Sequence, residues 1–473
     1  MATGQLLQSG LLRFFSIPYT GRKAPRMANI FPFRALRYDA SRVSVGDVVT
    51  QPYDKISASM QDRYYKASPH NLVRIILGKA EAGDDGERNV YRRAANSLRN
   101  WQSEGVLVQD AEPSIYLYMQ TFRVPGDASR THHERRGFIA AGQLEAYEQK
   151  VVFRHEQTLS KPKADRLNLL RATNAHFGQI FMLYSDPAGE VDSILATSRP
   201  PHVEVTDEYA VTHRLWRVSD PATIARVRAA MADKKLIIAD GHHRYETALN
   251  YRNEMRQRYG DAPGAPYERV MMTFVNMDSP GLVVLPTHRV VFGLAGFDAT
   301  AMLGKFEKYF DVEKLEHPER LESALAKLCE AGRSRTALLA VTANANYLLR
   351  ARHEQESEFL TQQSAQQRAL DVVQLHKLVL EEALGMSEED IRDQKYLKYV
   401  REAREAVSEV GNGANVAFLM NPVRVSQVRD IAFSGEVLPQ KSTDFFPKLL
   451  SGLTIYSLEE AKQPAVQAGA GGR

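Results

Sequence analysis

Apolar residues recur along this chain with two different periods. Alternation of apolar and polar positions predicts strands over 114–124 and 134–145, near enough to be neighbours, and again over 211–220. Short, almost continuous apolar runs at 179–186, 234–240 and 269–278 predict strands buried on both faces. Helical spacing governs 87–105, closed by Gly105, as well as 164–178 and 221–234, where Pro221 falls in the first turn. A further helix begins just after Asp240 and runs to Gly260. The valines of 42–49 and the run 71–79 also read as strands, with Ser57 as a helix N-cap after the Pro52-Tyr53-Asp54 turn.

Beyond residue 296 the texture changes. Helical patterns cover 301–311, 318–332 and 370–385, and strands are predicted over 335–352 and 414–422. Strands interleaved with helices imply a mixed α/β (α+β) fold. The expected division is a disordered extension at 1–27, an α/β core at 28–296, a more helical C-terminal α+β domain at 297–458 and a disordered tail at 459–473. No internal repeat or heptad array interrupts this plan.

Composition narrows the classes. With 61 Lys+Arg against 57 Asp+Glu, the net charge of +4 gives no global basic field, so DNA is not an expected partner. No run reaches the roughly 18 apolar residues of a membrane span. The single cysteine, Cys329, sits in an amphipathic pattern and is expected to be buried or half-buried; a disulfide framework within one chain is excluded. A reducing, cytoplasmic setting is the expectation.

The stretch 234–252, KKLIIADGHHRYETALNYR, carries the most chemistry. Gly241 permits a tight turn directly after a buried strand. The helix that follows opens with unpaired N–H groups and the positive end of its dipole, a ready anion site. His242 and His243 add donors, and Arg244 can grip phosphate oxygens bidentately. Asp240 can cap the helix or hold a histidine tautomer. A capped helix with solvated histidines is the plainer alternative. Zinc fits less well, because neither His-Glu-x-x-His nor His-x-x-Glu-His spacing occurs.

Four other stretches mix groups suited to phosphate binding or proton transfer. Arg154-His155-Glu156 ends an apolar run, with Thr158, Lys161 and Lys163 just beyond. Thr287-His288-Arg289 follows Pro286 between two valine-rich runs, where a bend or sheet edge would turn His288 and Arg289 toward one cleft. Asp54 lies at an expected strand end. Lys441, Ser442 and Thr443 sit among Pro439, Phe445 and Phe446, a composition that suits a pocket wall. For each, a solvated loop or turn is the competing account.

These stretches together resemble one family. The segments FPFRALRYD, QPYDKIS, NSLRNWQSEGVLVQD, RHEQT, IADGHHRYETALNYR, GLVVLPTHR and LPQKSTDFFPKLLSGL run in order from about residue 31 to 456. On them the chain is identified as a member of the 1015 family of domains of unknown function, widespread in bacteria and archaea. SKPKADR departs from the family's more acidic pattern, which leaves roles for Lys161 and Lys163 open. ADGHHRYETAL alone resembles the phosphate-binding motif of the ParB/sulfiredoxin superfamily. That second resemblance implies that Gly241, His242, His243 and Arg244 hold the terminal phosphates of a nucleotide. It implies ATP or another nucleotide, with Mg²⁺, and a small-molecule kinase of the free L-serine type. In that reading Asp54 or Glu156 is the base, and Arg154, His155, His288 and Arg289 stabilise the transferred group. Asp240, Thr287 and Lys441 complete the expected binding set. Alternatives are a ParB-like CTP- and DNA-binding regulator, for which no helix-turn-helix is evident, and a non-catalytic nucleotide sensor. Sulfiredoxin chemistry is disfavoured, since His242 occupies the motif position of the catalytic cysteine.

Overall fold

The computed structural model describes residues 28–126, 131–156, 161–316, 320–352 and 357–459, with 161–163 as backbone alone. Thr158 and the expected extension and tail at 1–27 and 460–473 lie outside the described residues. Two sheets organise the rest, in a mixed α/β architecture.

The larger sheet has nine strands. From one edge its order is Val152–Phe153, Leu236–Asp240, Ile180–Tyr184, Arg269–Asn276, His132–Gln143, Ile115–Arg123, Thr212–Val218 and Val203–Thr206, with Ile30–Phe31 added beside His132–Gln143. Leu236–Asp240 runs parallel to Val152–Phe153 and antiparallel to Ile180–Tyr184. All five residues of Ile180–Tyr184 are buried, as the unbroken apolar run predicts. Ile180, Met182 and Tyr184 face one core together with Leu236, Ile238 and the helices Pro221–Met231 and His242–Tyr259. Phe181 and Leu183 face the other core with Ile237 and Ala239. The period-two geometry of the strand thus divides one sequence run between two apolar layers.

The second sheet has six strands, in the order Phe310–Lys314, Asn346–Ala351, Ala337–Val341, Val416–Met420, His288–Val291 and Leu397–Val400. One large core joins it to the first sheet, so that Phe181 and Leu183 belong to the same apolar cluster as Val291, Leu338, Phe418 and Leu375. His288–Val291 precedes residue 296 yet pairs within this sheet. The last described segment returns to the larger sheet's side. Asp444–Phe446 pairs with Val283–Leu285, Tyr456–Ser457 pairs with Ala175–His176, and Ser451 bridges to Thr50.

Several local expectations are corrected. The valines of 42–49 form a short helix, Val45–Val48, and 71–79 holds another, Val73–Ile76. There the Asn71 side chain accepts a hydrogen bond from the Val73 N–H at 2.9 Å and starts a turn that the apolar run alone does not disclose. Pro286 marks no edge: it separates Val283–Leu285 from His288–Val291, which lies between two partners in the other sheet. Cys329 is exposed, on the outer face of the helix Leu321–Ala331. Within 370–385 the helix widens to a π-helix over Leu375–Ala383. No helix among the described residues is long and apolar enough to cross a membrane.

Candidate functional site

The strand Leu236–Asp240 ends at a cavity of about 630 Å³. Gly241 then turns the chain at φ +95°, a conformation that favours glycine, and the 18-residue helix His242–Tyr259 begins with no side-chain cap. Residues 240 to 244 all line the cavity. Tyr245, Ala248, Tyr251 and Met255 hold the helix to the core at helical spacing, which fixes where its first turn points.

Arg244 forms part of the floor. Its guanidinium donates to the Gln179 carbonyl at 2.5 Å and lies 3.8 Å from Asp240. A Cβ at either Gly178 or Gly241 would come within 3.0 Å of this guanidinium, so glycine at both positions lets it pass. His242 lines the cavity, and its Nε2 is buried with no hydrogen-bond partner among the described residues. Burial, then the neighbouring His155 ring 5.0 Å away, holds the His242 imidazole well below its ordinary pKa, so it is neutral at pH 7. A buried ring nitrogen without a partner is an unusual cost in a folded protein.

Opposite stands a network that the sequence does not announce. Lys448 Nζ lies 2.9 Å from Asp444 and 3.3 Å from Asp240, and Arg401 Nε donates to Asp444 at 2.5 Å. Burial opposes charge on both aspartates, yet Lys448 and its fellow cations prevail. They hold Asp240 far below the usual carboxylate range and Asp444 down at about 2. The two carboxylates in turn raise Lys448 against its own burial. Lys55 lies nearby, and its pKa is lowered by burial and by repulsion from Lys448.

The residues expected from the sequence divide into three groups. Asp54, Glu156, Asp240, Gly241, His242, His243, Arg244, Thr287 and Lys441 line the one cavity. Asp54 is exposed in the turn Tyr53–Lys55 and has no hydrogen-bond or ion-pair partner among the described residues. Glu156 accepts the Lys441 N–H at 2.6 Å, and burial raises its pKa.

His155, His288 and Arg289 lie behind the wall. His155 is fully buried: one ring nitrogen donates to the Ile238 carbonyl at 2.8 Å and the other accepts from the Thr443 hydroxyl at 2.8 Å. Burial pushes its pKa down to about 4. His288 accepts the Met420 N–H and is likewise held at about 4 by burial. Arg289 is buried; it donates to the carbonyls of Thr287 and Lys441 and sits 4.9 Å from the Tyr399 ring centroid. It shapes the loop that carries Lys441 and does not face a shared cleft with His288. Arg154 stands apart: it is exposed, 3.9 Å from Glu246 and over the Tyr147 ring.

Lys448, Asp444, Arg401 and Lys55 are the functional candidates that sequence reasoning misses. The first two close the same Lys-Ser-Thr-Asp-Phe-Phe-Pro-Lys run whose first residues stand out as a pocket wall. The i, i+4 spacing of Asp444 and Lys448 is the signal that points to them.

Among the described residues no group of three or more His, Cys, Asp and Glu is placed to hold a metal ion. Asp240 and Asp444 are already neutralised by cations. A Mg²⁺ would therefore share phosphate oxygens with Asp54 or Glu156, in keeping with the sparse protein ligation usual for this ion.

Fold and site define an α/β protein with an anion-competent helix start opening onto a charged cavity between two sheets. The chain belongs to the family of proteins of unknown function DUF1015, whose profile matches residues 30–373. No curated protein matches the sequence. Among solved structures, a conserved hypothetical protein from Pyrococcus furiosus is similar at 12 % identity and a TM-score of 0.32, covering 64 % of this chain and 92 % of that one. A free serine kinase in complex with AMP gives 14 % identity and a TM-score of 0.32, over 64 % and 89 %. SbnI from Staphylococcus aureus gives 8 % and 0.34, over 68 % and 90 %. Scores this low support no transfer of chemistry, so the reading of the site rests on its own residues.

Proposed function

We propose that the cavity binds a nucleotide, with ATP the first choice, and transfers its terminal phosphoryl group to the hydroxyl of a small acceptor of the free L-serine type. The observation that carries this reading is the unpartnered Nε2 of His242 beside Gly241 and Arg244, at the start of a long helix without a side-chain cap. Backbone N–H groups, a neutral imidazole and a guanidinium converge there, as phosphate recognition requires. The strand, tight turn and helix also favour a ParB/sulfiredoxin-like core.

Phosphoryl transfer is mainly positioning and charge neutralisation. In this reading residues 241–244 hold the terminal phosphates, and Lys55 and Lys441 offset charge on the leaving side. The acceptor oxygen attacks the terminal phosphorus, the bond to the bridging oxygen breaks, and the acceptor proton passes to a carboxylate. Asp54 is the better base, since Glu156 is tied to the Lys441 N–H. Mg²⁺ supplies charge neutralisation between the phosphates when bound. His155 acts as a positioning residue: it fixes Thr443 and packs on His242, with neither nitrogen open to substrate.

The test is incubation of the purified protein with ATP, Mg²⁺ and a panel of hydroxyl compounds that includes L-serine. Acceptor-dependent ADP, lost in Arg244→Ala together with ATP binding, is the expected result. Absence of acceptor-dependent ADP, with Arg244→Ala binding ATP as well as wild type, overturns the reading.

A further inference from the structure

A second cavity, of about 530 Å³, adjoins the first. Tyr399 and Gln440 line both. Its inner wall is the π-helix Leu375–Ala383, in which the Leu384 N–H reaches back five residues to the Val379 carbonyl at 2.9 Å. A π-turn widens the backbone, is rare, and is frequent at functional sites. Here it places His376 and Lys377 on the cavity.

His376 is 5 % exposed, and its Nε2 has no hydrogen-bond partner. Burial, then the positive charges of Arg289 and Lys377, hold the imidazole neutral. The charges around it are already paired. Lys377 lies 2.9 Å from Glu381 and 2.6 Å from Glu388, and Arg392 bonds Glu389 and Asp393. The lining groups left open are neutral: the His376 imidazole and the side-chain amides of Gln362, Gln363 and Gln440. None of these three amides has a hydrogen-bond partner among the described residues.

Neutral donors and acceptors at several angles suit hydroxyl groups, each of which both gives and takes a hydrogen bond. A phosphate or carboxylate would want an unpaired cation, and none is open on this wall. We propose that this second cavity is a binding site for a neutral, hydroxyl-rich small molecule of monosaccharide or cyclitol size, held by His376 Nε2 and the glutamine amides. The proposal stands apart from the nucleotide reading of the neighbouring cavity.

The probes are D-glucose, D-ribose and myo-inositol, with L-serine and inorganic phosphate as charged comparators. Each is titrated into the full chain and followed by ligand-observed NMR and calorimetry. At least one polyol is expected to bind, and His376→Leu is expected to weaken it by about tenfold, the worth of one hydrogen bond to a buried group. His376→Gln, which keeps a donor and an acceptor, should recover part of that loss. Gln363→Ala, at a half-buried position, should weaken binding with the fold intact, and Arg244→Ala should leave it unchanged. Failure of all three polyols to bind overturns the proposal. So does binding that His376→Leu and Gln363→Ala both leave untouched, or saturation by L-serine or phosphate in preference to the polyols.

Discussion

The two cavities share a wall yet treat charge in opposite ways. On the side of the nine-stranded sheet, Arg244, Asp240, Lys448, Asp444 and Arg401 form a continuous run of ion pairs, buried at Lys448 and Asp444 and half-buried at Asp240 and Arg401. On the side of the π-helix, Lys377 is satisfied by Glu381 one turn on and by Glu388 from the next helix, and the groups without a partner are neutral. A network in which two aspartates share one lysine, each with an arginine besides, is sensitive to any change in charge. A wall of amides and a neutral imidazole is not. In the two proposals, cavities of similar volume differ in ligand because they differ in which polar atoms lack partners.

The strongest way to break this contrast is Lys448→Met. It removes the contacts that Lys448 makes with Asp240 and Asp444 and leaves each aspartate only its arginine; a charge-assisted contact is worth about 1.5–3 kcal/mol. Urea denaturation should show that loss, and adding Asp240→Asn and Asp444→Asn should restore most of it. An unchanged midpoint in the single variant would mean that the aspartates find other partners. Next in size is Arg244→Ala, expected to weaken ATP binding by at least about tenfold through loss of a charge-assisted contact, worth roughly 1.5–3 kcal/mol. Calorimetry reads this directly, and the second cavity's ligand should be unaffected.

A titration sharpens the same comparison. His155 and His288 are buried neutral at about 4, against about 6.5 when unfolded. A lowered histidine pKa contributes stability that is complete above 6.5 and is lost as pH falls toward 4. Asp371, raised to about 6 by burial, works the other way between 6 and its ordinary value and offsets part of the effect. Thermal melts should therefore show a net fall in Tm from pH 7 to pH 5, while Asp444, held at about 2, stays charged throughout. A Tm that is flat or rising across this window would contradict the buried neutral state of the two histidines. The smallest effect is expected from Arg154→Ala. Its exposed pair with Glu246 contributes within about 0.5 kcal/mol, and ATP affinity should not move. A drop in affinity would bring Arg154 back to the cavity.

Much of the larger sheet is legible because burial on two faces writes itself as unbroken apolar runs, seen in Ile180–Tyr184 and Leu236–Asp240. The helix start at 241–244 is legible because a glycine followed by polar donors, directly after such a run, marks the point where a buried strand must turn outward. The short helices Val45–Val48 and Val73–Ile76 are not. Four residues are too few to show a period, and the Asn71 side chain that starts the second helix is held by a tertiary bond to the Asp47 carbonyl. His155, His288 and Arg289 stand out in the sequence as unusual but not as buried, because polarity in a sequence does not say which way a side chain faces. Lys448 escapes notice for the converse reason. A lysine two residues past Phe446 is unremarkable until the fold sets two aspartates against it, one of them from a distant segment.

The return of residues 438–457 to the larger sheet's side has a temporal consequence. Glu156 bridges to Leu438, Asp240 waits for Lys448, Thr50 for Ser451, and Ala175–His176 for Tyr456–Ser457. During synthesis the helix start at Gly241 emerges some two hundred residues before the lysine that neutralises its aspartate. A nascent chain therefore carries an unfinished site, Asp240 without Lys448, for more than two-fifths of its translation, and a message cut short before residue 438 encodes a body without that wall of the cavity. The cavity as described is thus complete only once the segment 438–457 has been made and docked.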